Sequence, residues 1–453
     1  MTGKYELPIY GTIEAVSKPI ECVEPGKHFS FDGKRLVVYL EESLNQIQLL
    51  DLCFDITKKP AEINAVVEGK IHHSGRRIMM HVSCFPGFDK GSIRLGVVAY
   101  WTMDDEFSLE DVDGIVFSGL CVDSFCPMRG IRHECDNGRR SLMVTNDLDS
   151  VIDLGVADIG GRNVELSCEA YWTYEPLQQI KFISLLRCKL ARPNYEHIKR
   201  VYIAVASALR FCLGRGNTDF KMALCVETSG GDEAIGEFEV VHGRMYVPDE
   251  RDALEVGMVH ALDVGRYFGR VATAFDSGVF RHSELSQSRD DAAYITLAKI
   301  IELTSSFERE FRELYPDGVE HSDETSRSID EAIAALCGIE QGLSCGAKRL
   351  VLRARERVLD DSLKSRIRYV TKVLPTSVMQ VAYKGLEVCE DDKSLGSKIA
   401  TVRNDIAHGN ELSHKLSDLR KEYRLLIRLV FAMRLLRLDI PDNDVARLLR
   451  CMG

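Results

Sequence analysis

Residues 395–409 read LGSKIATVRNDIAHG, which indicates a short amphipathic helix that ends at a glycine. The apolar residues recur at the spacing of one buried helix face: Ile399, Val402 and Ile406. Gly409 is a natural residue just past a helix C-terminus, because glycine readily takes the left-handed backbone that ends many helices. Arg403 and His408 fall off the apolar stripe, so their role has to come from their chemistry and from the rest of the chain.

The length and composition of the chain indicate a globular protein with more than one domain. It has 453 residues, of which 45% are hydrophobic and 28% are charged. A chain of this length exceeds what one core usually organises, so we expect two or three domains. The N-terminal MTGKYELPIYG lacks the apolar segment of a secretory signal, and no uninterrupted apolar run is long enough to predict a membrane span. We therefore expect a cytoplasmic protein with no membrane contact.

Residues 1–155 predict a β-rich N-terminal domain. The runs 34–42 and 92–107 are rich in branched and aromatic residues, and 65–85 predicts a hairpin that turns at Ser74 and Gly75. Turn residues recur at short intervals. We expect these strands to form a sandwich or an open barrel, as the β part of an α+β protein.

Residues 156–280 predict a mixed α/β extension of the N-terminal region. The run 163–174 has an extended pattern, whereas 177–188 and 196–213 have the length and apolar spacing of helices. Residues 220–247 predict strands joined by a Gly-Gly-Asp turn, since these residue types are common in turns.

Residues 281–453 predict an all-α domain. A start resembling a capping box at Ser288 and Asp291 precedes an apolar stripe that runs from Ala293 to Leu314. Pro375 interrupts the helical pattern, and a last long helix carries apolar residues from Leu416 to Met433. Five or six helices in this length of chain indicate an antiparallel bundle.

The charge is divided unevenly along the chain. The net charge is −11 overall, but the segment 346–453 holds 22 Lys and Arg against 14 Asp and Glu, which gives +8 there and −19 in the remainder. Nine basic residues fall within 348–372. Such a run indicates either a solvated helix face or a surface for an anionic ligand, RNA above all. The candidate RNA-binding residues are Arg366, Arg368, Lys372 and Lys398.

Fourteen cysteines are scattered through the chain, which in a reducing compartment indicates mostly buried thiols. One cluster contains four soft metal ligands within fifteen residues: Cys121, Cys126, His133 and Cys135. Zinc is one interpretation, but paired CxxC knuckles are missing and the spacing fits no common zinc template. Thiol packing beside a loop is the favoured interpretation.

Arg403 and His408 suggest phosphate chemistry on RNA. They are five residues apart, about 7.5 Å along a helix axis, and Asn404 and Asp405 can orient the histidine ring. Without a thiol, a serine or a pair of metal-binding carboxylates beside them, the substrate has to supply its own nucleophile, as RNA does with its 2′-hydroxyl. His408 would act as general acid or base, an effect of about 10²–10⁴ in rate, and Arg403 would neutralise charge on the phosphorane. Such a reaction needs neither a metal nor a cofactor.

The segment RNDIAHG resembles the R-x4-6-H signature of HEPN domains, which are small helical bundles. With the β-rich region ahead of it, the chain looks most like the Apea-like HEPN proteins of bacterial anti-phage defence. The resemblance implies a homodimeric, metal-independent endoribonuclease that cuts tRNA. Attack by the 2′-hydroxyl would leave a 2′,3′-cyclic phosphate or a 3′-phosphate. The resemblance carries over Arg403 and His408 as catalytic residues and Asn404 as their polar neighbour, and it covers residues 285–453.

Two other interpretations stay open from the sequence. The helical domain could be a catalytically silent HEPN fold that binds RNA or nucleotides or forms a dimer, or it could be an unrelated bundle in which His408 only ends a helix. If the domain is a toxic ribonuclease, it needs restraint. The acidic N-terminal region is large enough to sense a trigger such as a phage component.

Overall fold

The computed structural model describes residues 8–452 except 19, 21–22, 41–64, 90, 106, 108–110, 128–130, 137–138, 145–150, 176–178, 191–192, 217–220, 229–230, 241–258, 282–284, 286–290, 292–293, 341 and 387–394. The chain divides into two compact units, whose main boundary lies between Val279 and Phe280. Strands occur in the first unit, whereas the described part of the second unit contains helices and no strand. The predicted α+β class is therefore confirmed. The domain limits at 155 and 280 stay predictions.

The first six strands form a closed ring. They are β1 (Ile9–Val16), β2 (His28–Phe31), β3 (Arg35–Tyr39), β4 (Ala65–Ile71), β5 (Arg77–Asp89) and β6 (Ser92–Met103). All neighbours are antiparallel, in the order β6-β3-β2-β1-β4-β5, and β5 returns to pair with β6. Alternate residues of β4 face the interior, where Val67 and Ile71 are fully buried. The expected open barrel is thus closed, because β5 pairs along one edge with β4 and along the other with β6.

An open sheet continues from this ring. Its strands are β7 (Gly114–Ser118), β10 (Ile152–Ile159), β11 (Arg162–Glu175), β12 (Gln179–Lys189), β13 (Lys221–Thr228) and β14 (Gly231–Val240), and a separate hairpin pairs β8 (Ile131–Asp136) with β9 (Arg139–Val144). The order is β10-β11-β12-β7-β13-β14-β6. Strand β6 joins the two parts, because Ser92–Gly96 pairs with β3 whereas Ala99–Met103 pairs with β14. At the expected Gly-Gly-Asp turn, Thr228 pairs with Gly231, and residues 229–230 lie outside the described part.

The helix predicted at 177–188 is wrong, because its described part, from Gln179 onward, lies in strand β12. The strand pairs with β11 at one edge and with β7 at the other, so both edges are satisfied by backbone hydrogen bonds. Leu186 and Cys188 are buried on one face, while Leu185 on the opposite face is half-buried. Apolar residues on both faces of an interior strand hide the two-residue alternation, and the run then looks helical.

In the described part of the first unit, four helices accompany the strands: α1 (Leu120–Phe125), α2 (Tyr195–Leu213), α3 (Ala261–Val264) and α4 (Tyr267–Asp276). Helix α2 confirms the helix predicted at 196–213. It begins after Asn194, whose side chain accepts a hydrogen bond from the backbone N–H of His197 at 2.8 Å, and it ends at Gly214 in the left-handed conformation. Helix α4 packs against β10 and α2.

The described part of the second unit contains eight α-helices. They are α5 (Leu297–Leu314), α6 (Asp323–Glu340), α7 (Cys345–Leu359), α8 (Leu363–Val373), α9 (Thr376–Tyr383), α10 (Ser397–His408), α11 (Arg420–Arg437) and α12 (Asp442–Cys451), with a 3-10 turn at Leu416–Leu419. Helix α5 packs against α8, α10 and α11, while α9 and α12 pack against each other and against α11. These six helices form a bundle, to which α6 and α7 add a hairpin. In the described chain no helix combines the length and the apolar character needed to cross a membrane.

The first bundle helix starts later than the sequence suggests. Helix α5 begins at Leu297, and the hydroxyl of Thr296 accepts a hydrogen bond from the backbone N–H of Lys299 at 3.3 Å. Thr296 therefore caps the helix. The expected capping residue Ser288 and the first stripe residue Ala293 lie outside the described residues.

Candidate functional site

Helix α10 is anchored in the bundle at its N-terminal end. Ile399 and Val402 are fully buried, and the backbone N–H of Ile399 donates to Oε2 of Glu422 in α11 at 3.0 Å. Gly396 precedes the helix at φ 76°, and a Cβ there would lie 3.0 Å from Cδ1 of Ile367 in α8. Only glycine meets both conditions without strain, so α10 is set closely against α8 and α11.

The C-terminal end of α10 is held by Asp405. Its carboxylate accepts a hydrogen bond from the backbone N–H of Ser413 at 2.9 Å, and its carbonyl accepts one from Asn410 at 2.8 Å. Gly409 ends the helix at φ 69°, as the sequence predicts. The backbone and hydroxyl donors of Ser413, and then the charge of His414, lower the pKa of Asp405. Asp405 therefore fixes the turn that follows His408.

Arg403 lies half-exposed on α10 and points toward α5. Its Nη1 donates to Oδ1 of Asn404 at 3.3 Å, and its Nη2 lies 3.6 Å from Oε2 of Glu308. The side chain of Glu308 is only 18% exposed, so the ion pair is partly shielded from water. Two neighbours thus restrain the guanidinium, while about a third of the side chain stays open to solvent.

Arg366, a predicted RNA-binding residue, meets the same carboxylate from α8. Its Nη1 lies 3.6 Å from Oε1 of Glu308, and its Nη2 pairs closely with Asp360. The guanidinium also lies over the ring of Phe311, 5.6 Å from its centroid, and the residue as a whole is buried. Glu308 therefore joins Arg366, a candidate RNA-binding residue, to Arg403, a candidate catalytic residue.

His408 is the last residue of α10 and is exposed. It has no hydrogen bond or ion pair with any residue that the structure describes, so its ring is open to an incoming ligand. Among the described residues, no hydrogen bond or ion pair joins His408 to Arg403. Among the other basic candidates, Arg368 is half-buried, and Lys372 and Lys398 are exposed.

A second ionic cluster stabilises the helix that carries Glu308. Glu310 is fully buried, and its carboxylate forms ion pairs with three arginines. The distance is 3.1 Å to Nε of Arg434 and 3.2 Å to Nη2 of Arg309, and Arg437 also pairs closely with it. Burying a carboxylate is unfavourable unless it is paired, and here it links α5 to α11. Glu308 and Glu310 were not among the residues predicted from the sequence. The available signal was two acidic residues set between Phe307 and Phe311 on a buried helix face.

Of the four residues in the cysteine cluster, the structure describes the side chains of Cys121 and Cys126. Cys121 and Cys126 are buried at α1, and a hydrogen bond with Cys126, followed by burial, raises the pKa of the Cys168 thiol. Within the part of the chain that the structure describes, no group of three metal-ligating residues is present. The side chains of His133 and Cys135 lie outside that part, so the structure tests neither the predicted thiol packing nor the less favoured zinc site.

Comparisons of the chain with protein-family models, with curated proteins and with solved structures find no match.

Proposed function

We propose that the helical unit is a metal-independent endoribonuclease of the HEPN type. The observation that supports this best is the geometry of α10. An exposed histidine ends the helix on a turn that Asp405 fixes, and an arginine on the same helix is held by Glu308 and Asn404. A site for phosphodiester cleavage needs a proton-transfer group and a cation in defined places, and these residue types supply both.

The proposed reaction uses the 2′-hydroxyl of RNA as its nucleophile. His408 takes the proton of this hydroxyl while the oxygen attacks the adjacent phosphorus. Arg403 neutralises the charge that develops on the phosphorane oxygens. The bond from phosphorus to the 5′-oxygen then breaks, and the protonated His408 returns its proton to that oxygen as it leaves. The products are a 2′,3′-cyclic phosphate and a 5′-hydroxyl end.

Each site contains one arginine and one histidine, and a two-fold dimer would bring two such sets together. In this proposal the protein works in the cytoplasm as a homodimer in anti-phage abortive infection, with tRNA as substrate. The first unit would sense a phage-derived trigger and restrain the nuclease. The support for these partners is the resemblance of RNDIAHG to the HEPN signature, together with the basic segment 346–453.

The function is tested by RNA cleavage in EDTA. Purified wild type, His408→Ala and the control His73→Ala, which changes an exposed histidine of the first unit, are incubated with total tRNA, and the products are separated on a denaturing gel with end-group analysis. We expect discrete cuts with cyclic phosphate ends from the wild type and the control. His408→Ala should be slower by about 10²–10⁴, the usual contribution of general acid–base catalysis.

The competing function is a catalytically silent module that binds RNA or nucleotides. It is favoured by the engagement of Arg403 with Glu308 and by the absence of a contact between Arg403 and His408 in the described chain. Intact RNA in the assay and in phage-infected cells that express the wild type would support this module. In that case Arg368→Ala and Lys372→Ala should weaken RNA binding more than His408→Ala does.

A further inference from the structure

Among their described residues, helices α6 and α7 form a hairpin without a buried core. None of their described side chains is fully buried, and each helix packs mainly against the other. The six bundle helices differ in this respect, since each of them buries several residues. A helix of this length gains most of its stability in water from a buried apolar face. In this hairpin, part of that apolar face stays exposed to solvent.

The apolar faces of the two helices meet, but they stay half-exposed. On α6 the half-buried residues recur at helical spacing: Ile329, Ala332, Ile333, Leu336 and Cys337. Nη1 of Arg355 in α7 lies 3.6 Å from Sγ of Cys337, which places α7 on this face. At the margin of the seam, Ile339 is 56% exposed and Leu350 is 65% exposed. Two helices cover only one side of each apolar face, and a four-helix arrangement would cover both.

Contacts of Asp361 hold the two ends of the hairpin together, and they fix its orientation on the helical unit. The carboxylate of Asp361, just after α7, accepts a hydrogen bond from the backbone N–H of Val319 at 2.9 Å and lies 3.1 Å from Nε2 of His321. These contacts join the chain before α6 to the chain after α7. The two helices therefore lie side by side, and the residues that connect them to the bundle are held in place.

The two helices carry opposite charge. Helix α6 contains five acidic residues and one arginine, a net charge of −4, and α7 contains five basic residues and one glutamate, a net charge of +4. A surface with one acidic and one basic helix is complementary to itself after a two-fold rotation. In such a pair, each acidic helix lies against the basic helix of the other copy.

We propose that the α6–α7 hairpin is the surface through which two copies of this chain associate. The hairpins of the two copies form a four-helix bundle, with α6 of one copy against α7 of the other. Ile339 and Leu350 become buried in it, and the charges of −4 and +4 face each other. The inference rests on the hairpin and not on the proposed chemistry.

The test uses charge reversal in the full-length protein. The first variant changes three exposed acidic residues of α6, Glu324→Lys, Asp330→Lys and Glu331→Lys, and the second changes three exposed basic residues of α7, Lys348→Glu, Arg349→Glu and Arg353→Glu. Each variant alone places like charges across the two-fold axis. Mixed together, the two variants restore opposite charges at both contacts. Leu350→Lys is a single exposed change that tests the apolar part of the surface.

Sedimentation velocity measures the oligomeric state, and circular dichroism measures the helix content. We expect a wild-type dimer at micromolar concentration, monomers for each triple variant, a heterodimer in their equimolar mixture, and at least tenfold weaker association for Leu350→Lys. A wild-type monomer, dimers of the separate triple variants, or a mixture that stays monomeric with its helix content intact would overturn the proposal.

Loss of RNA binding by the α7 variant with an unchanged dimer would also overturn it and would assign this surface to RNA. None of these readouts depends on cleavage, so the proposed function can fail separately.

Discussion

Arg403 of α10 and Glu308 of α5 form an ion pair with 3.6 Å between nitrogen and oxygen, and the other oxygen of the same carboxylate lies 3.6 Å from Arg366. One carboxylate thus serves two guanidiniums that come from different helices. It fixes the direction of Arg403, and it reduces the positive charge at the place where a phosphate would bind. Glu308 is therefore a positioning residue for the proposed reaction.

Glu308→Gln should separate the position of Arg403 from its charge. The amide keeps the shape of the side chain but loses the ion pairs, so we expect single-turnover cleavage to fall about tenfold, a change of ~1.4 kcal/mol in the barrier. RNA affinity, measured by fluorescence anisotropy, should stay equal or rise, because the local positive charge increases. The matched control is Glu302→Gln, an exposed carboxylate on the same helix. Equal effects of the two variants on cleavage would contradict the role of Glu308.

Glu310→Gln should destabilise the bundle strongly. The substitution leaves the buried Arg434 and the adjacent Arg437 without their shared counter-charge, and breaking a buried ion pair typically costs about 3–5 kcal/mol. Glu313→Gln is the control, because this carboxylate is 56% exposed and also pairs with Arg437. The control should lose less than about 1 kcal/mol. Urea denaturation gives both values, and similar losses would show that the buried cluster adds nothing specific.

Gly409→Ala and Gly338→Ala should change stability in opposite directions. Gly409 has φ 69°, where an alanine costs about 1–2 kcal/mol. Gly338 lies within α6 with open space around it, so an alanine there favours the helix by up to about 1 kcal/mol. Thermal denaturation of both variants beside the wild type checks the signs. A stable Gly409→Ala protein would mean that the turn after His408 is not held in the left-handed conformation.

Asp405→Asn should lower stability in a manner that depends on pH. The Ser413 hydrogen bonds lower the pKa of Asp405 in the folded protein, so the folded state favours the charged carboxylate. This stabilisation is present above the ordinary pKa of 3.8 and is lost as the pH falls through the lower folded pKa. The difference between wild type and variant should therefore be largest near neutral pH and shrink in acid. Chemical denaturation across this range, with the exposed Asp418→Asn as control, gives the profile, and a difference that does not change with pH would contradict it.

Some helix ends were predictable from the sequence, whereas the number of helices and the contacts between distant segments were not. The end of α10 at Gly409 follows from local chemistry, and the break at Pro375 lies between α8 and α9 as expected. Closure of the strand ring could not be foreseen, because it depends on β5 pairing at both edges. Strand β12 was missed because its apolar residues occupy both faces.

In the candidate site too, the residues of one helix could be predicted, whereas the contact with a distant helix could not. Arg403, Asn404 and His408 lie on one helix and could be named from a short motif. Glu308 lies about a hundred residues earlier, and its link to Arg403 exists only because α5 packs against α10. Sequence spacing carries no information about such a contact. The buried face of α5 gave the available hint, since a carboxylate there requires a partner.

The two edges of β6 tie the ring and the open sheet into one cooperative element. Its residues Ala99–Met103 pair with β5 on one side and with β14 on the other, so opening either part removes backbone partners from the other. Partial unfolding of the first unit would leave this strand with an unsatisfied edge, a state that exposes a template for aggregation. The first unit should therefore lose its structure in a single transition, with the amides of this stretch among the last to exchange with solvent.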